Sequence, residues 1–431
     1  MRTGQRHLRP SLLIAGTVLL ACLPGATGDP ATSRLSPADV AAGLLVAVIA
    51  VRLLAGLRTG VRWGWLPFGV ALASFALATV TASDVSTSVF GFIRYAEIFV
   101  LVPVAVALSV RDRYDLRVVA GAFVTIAAAE GAVGVHQYLT GTGASYAGEY
   151  VRAIGTFGPE AIMALATLLG YGIVVALALG LAAHGPARPL LIVLAGLLLV
   201  PLALTLSRGA WIATAVAVLA VLAVANWRVA AGVAGAGALL LVTLSLTAGG
   251  NAANGTFVQR VTSIATSASS PDQSVLDRYA LWRTATAIWA DHPVLGVGIK
   301  DFAGYRDSYA SVALSAGSDI GDPSSGMGRE PLQSAHNQYL QVLSEQGTIG
   351  LLAFGGLLAA LAVSSLRRVS PGPEKHFLDL AAPGIIAWTL IDFVYGDLGG
   401  GPAAVLLAVL LGLAARRALI VPATRPVAVA A

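Results

Sequence analysis

Apolar runs of about 17–25 residues, the length a helix needs to cross a bilayer, recur along most of this chain. They fall near 11–25, 38–57, 63–82, 91–110, 116–139, 160–183, 189–206, 209–226, 228–248, 347–366, 378–396 and 402–421. The pattern predicts an all-α membrane protein with about twelve transmembrane helices, the first run being the shortest. One long polar interruption, residues 249–346, separates the ninth run from the tenth. The chain therefore divides into 1–248 with transmembrane helices 1–9, a loop at 249–346, and 347–431 with transmembrane helices 10–12.

Inside that loop the pattern changes again. Asn251 to Pro271 is rich in Ser, Thr, Ala and Asn and reads as irregular surface. From Asp277 to Ala290, the residues Tyr279, Leu281, Trp282, Ala285, Ile288 and Trp289 have the spacing of an amphipathic helix, and Pro293 ends it. Gly296-Val-Gly298 makes a turn, Phe302 to Val312 suits a second helix, and Gly317 to Gly328 is a polar loop. Ser334 is placed to cap a helix from Ala335 to Gln346 that leads into the tenth run.

Composition agrees with the pattern: 57% of the 431 residues are hydrophobic and 11% are charged, against about 25% charged in soluble domains. The formal net charge of +5 does not point to nucleic acid, because most arginines stand in short segments between apolar runs, where they set topology. Arg2, Arg6, Arg9, Arg58, Arg62, Arg111, Arg113, Arg117, Arg188, Arg228, Arg367, Arg368, Lys375, Arg416 and Arg417 fall on one side. The positive-inside rule makes that side cytoplasmic, with both termini, and puts the long loop outside. A lone Cys22 excludes an intramolecular disulfide. Its Leu19-Leu20-Ala21-Cys22 setting has the form of a lipoprotein signal, but a first transmembrane helix with an incidental cysteine is the simpler reading.

Topology also sorts the candidate chemistry. Of six histidines, His292 and His336 fall in the outer loop; His292, in Asp-His-Pro at a helix stop, reads as structural. His336, expected in the first turn of a helix, is kept neutral there by the positive end of the dipole. It is either a hydrogen-bonded structural residue or a general base. Arg208, in Ser207-Arg208-Gly209 between two apolar runs, is pinned at the outer boundary, where it snorkels to lipid phosphate or binds a substrate phosphate. Arg278 and Arg283 stand on the amphipathic helix. Because the loop holds six cations against nine acids, an anion bound there must be met by a few placed guanidinium groups, which suit phosphate. Arg94 and Glu97, at i and i+3 inside the fourth run, either line a cavity or hold helices together. Glu130, Glu149, Arg152 and Glu160, around the connection after the fifth run, are weaker candidates. Metal-site, nucleotide-loop and nucleophile-elbow motifs are absent, so no metal and no cofactor is expected. With no internal repeat apparent, a transporter of a lipid-linked glycan is the less favoured alternative.

Three groups of residues, in this order, resemble the O-antigen ligase and O-antigen polymerase superfamily of bacterial membrane glycosyltransferases. They are Ser207-Arg208-Gly209, then Arg278-x3-Trp282 leading to Asp291-His-Pro-Val-Leu-Gly-Val-Gly298, and then His336-Asn337-x2-Leu340 with Glu345-x-Gly347-x2-Gly350-Leu351. The resemblance covers the chain from about Tyr171 onward and implies a metal-independent transfer on the outer face of the bacterial cytoplasmic membrane. The donor would be a polyprenyl-diphosphate-linked glycan, and the acceptor hydroxyl would belong to a glycan, a lipid or a protein. It implies that His336 is the catalytic base, that Arg208 and Arg278 hold the diphosphate, and that Arg283 and Asn337 contribute to substrate binding. The same resemblance leaves ligase and polymerase open, since the two differ in the acceptor, and it makes the loop a lid over a cavity fed by membrane lipid.

Overall fold

The computed structural model describes residues 9–23, 36–56, 63–146, 150–158, 161, 163–248, 273–311, 314, 333–370, 372, 375–398 and 401–418. The expected loops at 251–271 and 317–328, with Glu149, Glu160, Arg260 and Arg329, lie outside the described residues. The chain is a mostly helical, polytopic membrane protein. Eight described helices are long and apolar enough to cross a membrane: α2 (Pro37–Leu54), α4 (Val85–Ser109), α5 (Arg113–Thr140), α6 (Ala164–Ala182), α7 (Ala187–Leu204), α8 (Arg208–Ala248), α11 (Gln338–Arg367) and α12 (Phe377–Tyr395). Shorter helices are α1 (Pro10–Leu20), α3 (Leu66–Val80), α9 (Gln273–Asp291), α10 (Phe302–Tyr309) and α13 (Pro402–Ala418).

Each of the twelve apolar runs overlaps one of these helices in its described part, but the count of eight differs from twelve for physical reasons. Runs eight and nine are continuous in α8, broken in direction at Asn226, whose φ of −161° and ψ of 105° are extended. The first, third and twelfth runs form helices of 11, 15 and 17 residues, under the roughly 20 that span by length alone. The tenth run starts earlier than periodicity suggests: α11 begins at Gln338 and passes through Gly347, where φ is 64° and ψ is −166°. The expected helix at 335–346 is therefore the first part of α11, set off from the rest by that break. Its cap is Asn337, not Ser334, with Asn337 Oδ1 accepting from the Leu340 N–H at 3.1 Å. The connection after the fifth run also holds a two-stranded antiparallel hairpin, Ala144–Tyr146 with Tyr150–Arg152, which no alternation in so short a stretch announced.

Helices α6 and α12 form the centre. Trp388 of α12 is fully buried, lies edge-on to Tyr171 of α6 at 4.5 Å between ring centroids, and donates its indole N–H to Thr214 of α8 at 3.1 Å. Around them, Phe99 of α4 packs on Phe354 of α11 and Phe393 of α12. A second, smaller core lies outside the bundle, where Leu281, Ala285 and Ile288 of α9 meet Val297, Phe302, Leu314 and Ala335. The residues spaced i, i+4 and i+7 on α9 thus bury one face, as expected of an amphipathic helix.

Charged residues at the other end of the bundle tie its helices together. Arg9 pairs with Asp112, the cap of α5, and with Asp115 in its first turn, Arg416 donates to the Arg111 carbonyl, and Arg417 pairs with Asp379 at the start of α12. The arginines that read as topology signals are also helix-end fasteners.

Candidate active site

The segment at 293–302 is fixed to α11 by close backbone contacts at two glycines. Gly296 has a φ of 69° and Gly347 a φ of 64°, a region that favours glycine. A Cβ on Gly296 would stand 2.3 Å from the Glu345 carbonyl carbon, and one on Gly347 would stand 2.3 Å from that of Val294. This approach lets the Val297 and Gly298 N–H groups donate to the Ser344 and Glu345 carbonyls, and the Thr348 N–H donate to the Pro293 carbonyl. On its other side the segment meets the start of α4: the Ser83 N–H donates to the Val297 carbonyl, and Ser88 Oγ donates to the Ile299 carbonyl. The Asp-His-Pro-x2-Gly-x-Gly and Glu-x-Gly motifs, remote in sequence, are the two halves of one joint.

That joint places His336. The residue immediately precedes the Asn337 cap, outside α11, and its φ of 46° is left-handed. A non-glycine residue held there costs on the order of 1–3 kcal/mol, and such strain gathers at functional sites. Bonds on both sides hold it. The Ala335 N–H donates to Gln341 Oε1 at 2.7 Å; Gln341 Nε2 donates to Glu345 Oε1 at 2.6 Å, and Glu345 Oε1 also accepts from the Phe302 N–H. The other left-handed non-glycine residues among those described are Leu206, two positions before Arg208, and Lys300, in the docked segment.

The imidazole is partly open, with 37% of its side-chain surface exposed, and its Nδ1 stands 4.0 Å from Asp397 Oδ2. That Asp397 oxygen is buried and has no hydrogen-bond partner among the described residues. Burial holds the His336 pKa below its ordinary value of 6.5; Asp397 raises it and Arg278 lowers it. The ring is therefore neutral at pH 7, as expected, but the cause differs. His336 is not in the first helical turn, so desolvation and a cation, not a place inside α11, set its charge.

Among the arginines, Arg278 acts electrostatically on His336, which brings the start of α9 to the site. Arg283, five residues further along, is on the exposed face of the same helix. Arg208 opens α8, where the Ser207 side chain accepts from the Ala210 N–H at 3.4 Å. The next residue, Gly209, lies against Tyr395 at the end of α12, and a Cβ there would be 3.1 Å from the Tyr395 Cβ. Two residues beyond Tyr395 is Asp397. The start of α8 and His336 thus both lie near the same end of α12. Arg152 joins this end by donating to the Leu206 carbonyl at 2.9 Å.

Other candidates are accounted for by packing. Arg94 donates to Asp39, Glu97 and the Gly401 carbonyl, fastening α4 to α2 and to the start of α13. Glu130 accepts from the Thr156 N–H and hydroxyl, and His292 lies edge-on to Tyr305. Among the described residues no three His, Cys, Asp or Glu side chains form a group able to hold a metal ion.

Sequence reasoning missed Asp397. It stands in Gly396-Asp-Leu-Gly-Gly-Gly401, the connection between the last two apolar runs; a carboxylate there, on the side already assigned to His336, was the available signal. The buried Gln338, Gln341 and Glu345 were also missed as a set, although their i, i+3 and i+7 spacing puts them on one face of α11.

No curated protein matches the chain. Residues 190–355, which hold Arg208, Arg278, Arg283, His336, Asn337 and both halves of the glycine joint, match the family model described as O-antigen ligase, so this segment of a polytopic membrane protein is similar to that family.

Proposed function

We propose that the protein transfers a glycan from a polyprenyl-diphosphate carrier to an acceptor hydroxyl at the outer face of the cytoplasmic membrane. The carrying observation is the half-open, neutral His336 in front of the orphaned Asp397 oxygen, with Arg278 acting on the same ring. In this reading the twelve apolar runs are twelve spans, both termini are cytoplasmic, and the outer segment covers a site entered from the bilayer.

Nδ1 faces Asp397, so it carries the ring proton, and the lone pair on Nε2 is the base. The acceptor hydroxyl gives its proton to Nε2 as its oxygen bonds to the anomeric carbon. The bond from that carbon to the diphosphate oxygen breaks, and the electron pair leaves with the diphosphate. Attack opposite the leaving group inverts the anomeric centre. Asp397 stabilises the imidazolium that forms, and the guanidinium groups of Arg208 and Arg278 meet charge that grows on the leaving group, stabilising the transition state more than the ground state. Arginine thus does the work a divalent cation does elsewhere. Arg283 adds to the charge that attracts the diphosphate, and Asn337 contributes by fixing the turn that carries His336. The chemistry is the same whether the acceptor is a lipid, a protein or a second lipid-linked glycan; the last would make the protein a polymerase.

The test uses purified protein in lipid nanodiscs with a labelled undecaprenyl-diphosphate glycan. His336→Ala should lower transfer by about 10²–10⁴-fold, the usual contribution of a general base, while donor binding persists. Transfer at the wild-type rate would overturn the assignment. Donor carried across vesicles without bond cleavage would favour the transporter reading.

A further inference from the structure

We propose that Gln338 is a positioning residue for the His336–Asp397 pair, acting through the backbone of residues 396–398; the inference rests on the glycan-transfer reading above. Gln338 is fully buried and lies two residues from His336. Its own N–H donates to the Gly396 carbonyl at 2.9 Å, and its Oε1 accepts from the Leu398 N–H at 2.8 Å. Peptide groups on both sides of Asp397 are therefore bonded to one residue. The remaining end of the carboxamide is fixed as well: Nε2 donates to the Tyr95 hydroxyl at 2.7 Å, and the Tyr95 ring is buried edge-on against Phe75 at 5.3 Å.

This arrangement uses both polarities of the amide. A carboxylate would lack the donor, and a hydrocarbon would lack donor and acceptor alike. Burying a carboxamide is unfavourable unless its bonds are made, so the residue type follows from what it holds. Gly396-Asp-Leu-Gly-Gly-Gly401 has few side chains to fix its own course. Gln338 supplies that constraint from α11 and, because it follows the His336 turn, sets the carboxylate and the imidazole in one frame.

The charged groups bearing on His336 are Asp397, which follows α12, and Arg278 of α9; Asp397 in turn interacts with Asp392 of α12. If the clamp opens and Asp397 recedes, the imidazolium loses its carboxylate and His336 titrates at lower pH. Full-length protein labelled with ¹³C-histidine in nanodiscs reads this without substrate, with the His336 signal identified by its loss in His336→Ala. Gln338→Leu should move the midpoint to lower pH, and Tyr95→Phe should move it less in the same direction. Gln338→Glu, which keeps the acceptor for the Leu398 N–H, should show no downward movement. In the transfer assay, Gln338→Leu should lower kcat by about 10²-fold, as expected for misplacing a catalytic group by about 1 Å, with KM for the lipid donor within about threefold of wild type.

An unmoved midpoint in Gln338→Leu overturns the proposal, even if that variant melts early, since the role is then structural. Should that variant not fold, Tyr95→Phe decides by the same midpoint. If wild-type protein transfers no glycan, the function proposed above fails, while the titration still decides whether Gln338 positions the pair.

Discussion

His336 is held in a backbone conformation that its Cβ disfavours, between a nitrogen bonded to Gln341 and a cap made by Asn337. The ring stands with Nδ1 toward Asp397, which in the proposed reaction leaves Nε2 for the acceptor hydroxyl. Burial and Arg278 hold its pKa below 6.5, so if His336 is the base as proposed, the acid limb of the kcat/KM profile should lie below 6.5. Arg278→Ala removes a cation that disfavours imidazolium, so the limb should move to higher pH; movement to lower pH would contradict the arrangement. The same substitution should weaken donor binding by about 10–100-fold, the worth of a charge-assisted hydrogen bond of about 1.5–3 kcal/mol. Arg283→Ala, on the exposed face of α9, should weaken it less, as titration with labelled donor can rank. Sequence made His336 visible through its place in the long loop and Arg278 through its motif, but not Asp397. A lone aspartate in a glycine-rich connection has no pattern, and it becomes a partner when Gln338 brings α11 to the end of α12.

At the scale of elements, the joint between residues 293–302 and the break in α11 carries the most consequence. Gly296 and Gly347 allow two backbones to meet where any side chain would collide with a carbonyl carbon at 2.3 Å. Gly347→Ala or Gly296→Ala combines a left-handed φ with that collision, so each should destabilise the docked segment by more than the roughly 1–3 kcal/mol of strain alone. Limited proteolysis should show earlier cleavage near 293–302, and transfer should fall although neither glycine touches substrate. Resistance equal to wild type would show that the segment docks by other means. Gly296-Val-Gly298 was readable from sequence as a turn, whereas Gly347 read as the start of the tenth apolar run. Their mutual contact was not readable, because some fifty residues separate them, and local spacing carries no information about which segment faces which.

At the scale of the whole molecule, the two ends of the bundle differ in chemistry. Arg9, Arg111, Arg416, Arg417, Asp112, Asp115 and Asp379 meet at one end; Leu206, Arg208, Lys300, His336 and Asp397 gather toward the other. With Cys22, the sole cysteine, replaced by alanine, single cysteines test the orientation. In intact spheroplasts a membrane-impermeant maleimide should label Ala290→Cys on α9 and should label Arg113→Cys at the start of α5 after permeabilisation alone. The reverse pattern would place the site on the cytoplasmic side.

The sequence by itself determined the membrane-embedded helical architecture, the position of the apolar runs and the amphipathic face of α9. These follow from hydrophobicity, helical period and charge placement, which act over a few residues at a time. Only the tertiary structure decided that the two halves of α8 meet at a non-helical Asn226, that α11 begins before its apolar run, and that Asp397 stands beside His336. These depend on packing between segments far apart in the chain: α12 at the centre, the paired glycines, and a buried glutamine bonded at both ends of its carboxamide.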